Sequence, residues 1–381
     1  MPKTNIRCDI AIAGGGLSAG LVALALSKKH PNIDVRIVER EACLGGNHVW
    51  SFFDSDVEAS DRWIIEPLIC HRWQGYDVHF PKFSRAFNES YNSIESKQFN
   101  SILRSTLPAD RILIGEVDVL NRESITLADG RALHARLVID ARGPGDLSHL
   151  KCGWQKFLGQ TLHVPGGHGL TRPIVKDATV AQIDGYRFVY CLPFTADTVF
   201  VEDTYYADTP EIDAPCLRDR IKDYAQARGW KDVQIEHEET GVLPVIMGGN
   251  FANYWNSTGQ DIVKSGLRAG LCQPVTGYSL PDAVRFASMI AANPHAPPSQ
   301  LIAEAAARWR ERGYYRMLDK MLFRAAEPDR RYQVLERFYA LSEGLIRRFY
   351  AGQSTLWDKA RLLIGKPPVP IGRAIRAILE K

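Results

Sequence analysis

The stretch Cys8–Gly20, CDIAIAGGGLSAG, constrains this chain more than any other. The run Cys8–Ala13 reads as a buried strand, three glycines follow, and Leu17–Ser27 then continues as an apolar helix. "VRIVER", residues 35–40, supplies a second strand at the spacing of a βαβ unit. Gly14 and Gly16 occupy the first two glycine places of G-x-G-x-x-G/A, with Gly15 between them and Ala19 in the third place. Lacking a Cβ, glycine lets the backbone turn tightly and approach a pyrophosphate at the helix N-terminus, where unpaired N–H groups point outward. Glu39 ends the second strand about twenty residues further on, where an acid accepts hydrogen bonds from a ribose. A glycine triplet alone is a packing turn. Strand, turn, helix, strand and acid in that order predict dinucleotide binding.

The rest of the chain is long enough, at 381 residues, for two domains or one large α/β unit. A 45% hydrophobic and 24% charged composition is that of a globular protein with a sizeable core. A net charge of +3 gives no ground for a nucleic-acid partner. The seven cysteines (8, 43, 70, 152, 191, 216 and 272) are scattered and form no CxxC, and the ten histidines show no ligand spacing. Reduced thiols, no disulfide frame and no metal are the expectation. The strand pattern starts almost at the first residue, leaving no room for a leader peptide, and no run of 18 apolar residues exists to span a bilayer.

"ITLADGRALHARLVIDARGPG", residues 125–145, places a hairpin turn at Asp129-Gly130 and an apolar strand at Leu137–Ile139. The strand runs into Asp140-Ala141-Arg142-Gly143. Between about 150 and 245 the segments GQTLHV, DATVAQI, YRFVYCLPF, TVFVEDTYY and GVLPVIM read as strands, with a helix at Leu217–Arg228. Helices are clearest at 301–325 and 330–350. The expected class is mixed α/β. A Rossmann-like nucleotide domain takes residues 1–150 with about 240–295. An inserted antiparallel-sheet substrate domain takes about 151–240 plus parts of 50–100, and a helical region takes about 296–381.

Residues 345–381 carry eight basic residues and two acids, a net +6 that leaves a net −3 on the preceding part of the chain. Phe349, Tyr350, Trp357, Leu362, Leu363, Ile364 and Ile371 are interleaved with those charges. Such a mixture suits an anionic lipid surface, or a helical lid with solvated charges, and the two readings are compatible. "KPPVP", 366–370, reads as a stiff connector before the last helix.

"VFVEDTYYAD", residues 199–208, puts adjacent carboxylates Glu202 and Asp203 after an apolar β-branched run and before Tyr205 and Tyr206. A strand alternates its faces, so one carboxylate points inward and the other away. The bland reading is a pair of acids capping a turn on the solvated side. Tyr186, Tyr190, Tyr205 and Tyr206 are candidate walls of a pocket, or plain core.

The glycine fingerprint, inserted sheet and helical tail together resemble a flavoprotein family that includes hydroxylases, geranylgeranyl reductases and lycopene cyclases. "GLRAGLCQPVTGYSLP", 266–281, is similar to that family's second FAD-contacting motif, G-D-A-A-G-x-x-x-P-x-x-G. Gly266, Ala269, Gly270, Pro274 and Gly277 match, and Leu267 stands where the motif has aspartate. GGNHVWSFF (45–53), YNSIES (91–96), DATV (177–180), YRFVY (186–190), VEDTYY (201–206) and MLFRAAEPDRRYQVLERFY (321–339) resemble the bacterial lycopene β-cyclases in particular. The resemblance implies an FAD enzyme, an isomerase served by NADPH or NADH as reductant. It would convert lycopene through γ-carotene to β-carotene by acid-initiated cyclisation, at a membrane lipid surface. The matching motif position makes Glu202 the catalytic acid. Cofactor contacts fall on Gly14, Gly15, Gly16, Ala19, Glu39, Gly46, Val117, Gly270 and Gly277, and a cytoplasmic protein peripheral to the inner membrane is expected. A same-fold alternative is a flavin-dependent isoprenoid reductase or monooxygenase. An alternative of another class is a noncatalytic carotenoid-binding protein.

Overall fold

The computed structural model describes residues 5–364 and 369–379, so Lys366–Pro368 of the proline connector lie outside it. The glycine turn sits at the end of a strand, Asn5–Ala13, that is central to the first sheet. It pairs in parallel with Val35–Glu39 on one side and Ala132–Asp140 on the other. Ile112–Ile114 extends the parallel edge, and Ser124–Leu127 and Val117–Asn121 add an antiparallel ribbon. Ile10, Ile12, Ile37 and Ile139 are fully buried, as expected of parallel strands covered on both faces. One cover is the helix Leu17–Lys29, which packs on Leu280–Ala292.

The second sheet has seven strands, in the order Gln234–Gly249, Leu150–His163, Thr198–Ala207, Tyr186–Pro193, Ile174–Asp177, Tyr76–Phe80, Phe83–Phe87. Its pairings are antiparallel except that Ile174–Asp177 runs parallel to Tyr76–Phe80. A small third sheet pairs Val49–Phe53 and His71–Trp73 with Tyr91–Glu95. The C-terminal helices cover one face of the second sheet: Tyr76, Tyr186 and Tyr206 share a core cluster with Phe323, Tyr339 and Tyr350.

Two expectations need correction. The segment DATVAQI is not one strand: pairing stops at Asp177, whose carboxylate accepts from the Thr179 N–H and hydroxyl and so turns the chain. The predicted helices 301–325 and 330–350 are each broken in two, giving Pro298–Glu311, Gly313–Ala325, Arg331–Tyr339 and Glu343–Tyr350. At the first break Arg312 is buried and turned onto Asp282, with an Nη1–Oδ2 separation of 2.7 Å. That tertiary ion pair overrides a pattern that would otherwise read as one helix.

Candidate active site

Thr198–Ala207 is an interior strand, and its alternation decides the fate of the carboxylate pair. Glu202 and Asp203 lie mid-strand, so neither caps a turn. Phe200 and Tyr206 belong to the core cluster under the C-terminal helices, whereas Val199, Val201 and Tyr205 pack in a separate cluster on the opposite face. Asp203 shares that second face and is fully buried against Arg187, accepting Nε at 2.9 Å and Nη2 at 2.5 Å. Tyr205 is there as well, under the Lys156 ammonium at 4.8 Å, so it walls no pocket with Glu202.

Glu202 points into a cavity of ≈ 230 Å³. Across the sheet it faces Tyr190 on one side and Gly159 on the other. Trp50, Phe53, Phe157, Phe188, Tyr190 and Tyr206 give the cavity an aromatic lining. Tyr186 stands behind Tyr206, ring centroids 5.6 Å apart. Burial pushes the Glu202 carboxyl up to about 8, and the nearby Glu239 carboxylate adds to the rise. A hydrogen bond from the Thr204 hydroxyl and the charge of Lys176 oppose it. Lys176 also lines the cavity, its ammonium 3.8 Å from the centre of the Phe188 ring. Burial lowers this amine to about 7, against the pull of Glu202. At neutral pH Glu202 is therefore mostly protonated, while Lys176 sits near its midpoint. Glu239 is buried, takes the Val49 N–H at 3.0 Å and lies 3.7 Å from the His48 Nδ1.

Several residues brought together here carried no local signal in the sequence. Lys176 and Glu239 come from separate strands of the sheet, Thr276 and Tyr278 from the second glycine-rich loop, and Tyr350 from a helix near the C-terminus. Register supplies the missing link for one of them: Glu202 and Glu239 both pair with Gly159, from opposite sides. Those two main chains are thus about 10 Å apart, with both side chains on one face.

The cofactor positions fall into two groups joined by the loop 266–279. Gly14 takes φ +96°, and a Cβ there would stand 2.9 Å from the Ala141 carbonyl oxygen. The Gly15 N–H donates to Glu39 Oε2 at 2.5 Å, so Glu39 braces the turn as well as ending the strand. Around a Cβ built on Gly16 nothing lies within 4 Å, while Ala19 is fully buried in the core. The helix begun there has no side-chain cap and no acid in its first turn, which leaves its positive end open to an anion. Ser18 Oγ is buried without a partner among the described residues. A dinucleotide pyrophosphate fits this cradle: open space, free N–H donors and an orphaned hydroxyl.

Gly115 N–H bonds the Glu39 carbonyl, which carries Val117 to the same end of the sheet. Gly46, at φ +65°, precedes His48 in the loop whose next residues reach the acid cavity. In the second motif, a Cβ on Gly266 would lie 3.2 Å from that of Ser18. Leu267 and Gly277 line the cavity of Glu202, whereas Gly270, at φ +64°, lies behind it beside Tyr254 and Trp309. The loop thus runs from the glycine turn to the cavity of Glu202.

Comparison with known proteins agrees with this geometry. A family profile described as "Lycopene cyclase protein" matches residues 9–376. A lycopene beta-cyclase of Pseudescherichia vulneris is 44% identical, covering 98% of this chain and 97% of its own. One of Pantoea ananas is 41% identical, covering 97% and 98%. Among solved structures, a geranylgeranyl bacteriochlorophyll reductase-like protein of Thermoplasma acidophilum superposes with a TM-score of 0.59 at 15% identity, covering 98% of each chain. A flavin-dependent brominase gives 0.59 at 13% identity, covering 94% of this chain and 97% of its own. At those identities the likeness speaks to the fold, which is that of Rossmann-type flavoenzymes. Matched from end to end in sequence and sharing that fold, the chain belongs to the lycopene cyclase protein family.

Proposed function

We propose that the chain is a lycopene β-cyclase, ringing both ends of lycopene by way of γ-carotene with no net oxidation or reduction. The observation that carries this reading is Glu202: a carboxyl raised to about 8 inside an aromatic cavity. An alkene is a very weak base, so its protonation needs an acid that keeps its proton at neutral pH and is shielded from water. Glu202 keeps its proton and stands part-buried in that aromatic cavity. It delivers the proton to a terminal alkene carbon and leaves a tertiary carbocation, which the neighbouring double bond attacks to close the ring. The faces of Phe188, Tyr190 and Tyr206 attract the cation and occupy space where water would trap it as an alcohol. A ring proton then leaves to a carboxylate of the same cavity, where Glu202, deprotonated by the first step, and Glu239 both stand.

Gly14–Gly16, Ala19, Glu39, Gly46, Val117, Gly270 and Gly277 are the positions we assign to FAD. In its reduced form, supplied by NADPH or NADH, the flavin would contribute negative charge beside the cation. We further assign residues 1–150 with about 240–295 to the cofactor unit and about 151–240, with parts of 50–100, to the substrate unit. The helical remainder would contact the inner membrane from the cytoplasmic side. In support, Leu356 and Trp357 are more than four-fifths exposed beside Lys359 and Arg361. Among the described residues no helix is long and apolar enough to cross a membrane.

The test is stoichiometric. With lycopene in liposomes, one anaerobic reduction of the flavin should support many ring closures, and deuterated water should label the ring methylene that receives the acid's proton. Consumption of one NADPH per ring without oxygen would replace the cyclase reading with a reductase.

A further inference from the structure

A forty-carbon polyene has roughly thirty main-chain bonds, and at the ~1.2 Å per bond of an extended peptide it is about 35 Å long. The ≈ 230 Å³ around Glu202 holds one end of such a molecule and no more. A second cavity of ≈ 270 Å³ lies among the C-terminal helices, walled by Leu322, Leu335, Phe338, Leu362 and Ala374. Tyr350 borders both cavities. Val275 borders the second, while its neighbours Thr276 and Gly277 border the first. The partition is therefore one side chain and one loop. Tyr206, from the acid strand, donates its hydroxyl to the Val275 carbonyl at 3.1 Å, and Tyr350 pairs with the Tyr339 hydroxyl at 2.5 Å.

The far end of the second cavity reaches the surface. Leu363, Ile371, Ile375 and Ile378 line it and are nevertheless 49%, 62%, 53% and 43% exposed. Apolar side chains left open at a cavity mouth, with Arg361, Arg373 and Arg376 beside them, suit a lipid face. Asp319 also borders this cavity, fully buried and with neither carboxylate oxygen bonded among the described residues. Burial raises it well above the usual range, against the charge of Arg316.

We propose that this second cavity holds the unreacted half of the linear polyene while its end is ringed at Glu202, with Tyr350 at the passage between the chambers and the mouth at Ile371–Ile378 as the entrance from lipid. The assignment rests on the cyclase reading. It requires that filling the second cavity blocks the substrate without touching the acid or the cofactor.

The experiment is a graded series, Ala374→Val, Ala374→Leu and Ala374→Trp, in the full chain loaded with FAD, with lycopene delivered in liposomes. Cyclisation kcat/KM should fall with each increment of volume and at least tenfold for Trp, while flavin content and Tm stay near wild type. Ile375→Trp, at the half-exposed mouth where folding is not at stake, should fall in the same direction and decides the matter if Ala374→Trp is unstable. Wild-type rates in Ala374→Leu and Ile375→Trp would overturn the channel and leave the cyclase standing. A wild-type protein that forms no ring from lycopene overturns the cyclase reading and the channel with it.

Discussion

Glu202 and Asp203 are consecutive carboxylates on one strand, and the two faces of that strand treat them in opposite ways. On one face Asp203 is fully buried, and Arg187 meets it with three hydrogen bonds. On the other, Glu202 opens into a cavity beside a second carboxylate and an amine that burial holds near neutrality. Burial raises both acids, but for Asp203 the guanidinium is the main opposing influence, and for Glu202 the next largest influence, Glu239, pushes the same way. A satisfied buried ion pair fixes structure. A part-buried acid in a cavity, with a like charge at hand, keeps its proton at neutral pH. One step along the chain separates an acid tied in an ion pair from the one we propose as proton donor.

The widest gap between the faces should show in catalysis. Glu202→Gln keeps shape and removes the proton, so ring formation should fall by the 10²–10⁴-fold typical of lost general acid catalysis. Pigment analysis with lycopene as substrate measures it, against unchanged flavin content. Near-normal β-carotene formation would move the acid elsewhere.

Asp203→Asn should do the reverse. It leaves the buried Arg187 without its counter-charge, and breaking such a pair costs about 3–5 kcal/mol. Denaturant unfolding should report that loss, while activity per folded molecule stays within a few-fold of wild type. Equal stability in Asp203→Asn and Glu202→Gln would erase the contrast.

A smaller effect sharpens the description of the Glu202 face. If Glu202 is the proton donor we propose, cyclisation should decline as pH rises past about 8. Glu239→Gln removes a charge that raises Glu202 and should move that decline to lower pH. Lys176→Met removes one that lowers it and should move the decline higher. Shifts in the same direction for both variants would contradict the electrostatics drawn here.

The last expected effect is on the pH dependence of stability. Glu202 rises from its usual 4.5 to about 8 on folding, so its contribution is full below 4.5 and is lost as pH climbs toward 8. Glu202→Gln lacks this dependence, and its Tm should gain on wild type across that interval.

Short-range physics made much of this protein legible from its sequence. The glycine turn could be read because Gly14 needs φ +96° and Gly16 needs open space, demands that leave a mark within a few residues. Alternation along VFVEDTYYAD separated Glu202 from Asp203 because a strand has a period of two. The same rule, applied with care, would also have set Tyr205 apart from Tyr206. Mixed α/β class and a basic, apolar tail likewise follow from local pattern. Tertiary structure alone decided what surrounds the acid. Strand register sets Glu239 across Gly159 from Glu202, and a parallel pairing with Tyr76–Phe80 fixes the strand that carries Lys176. Chain reversal brings Tyr350 between two cavities, and the Arg312–Asp282 pair accompanies a break in a helix that periodicity reads as continuous. Such contacts join residues tens to hundreds of positions apart, and no periodicity within either segment records which distant segment it will meet.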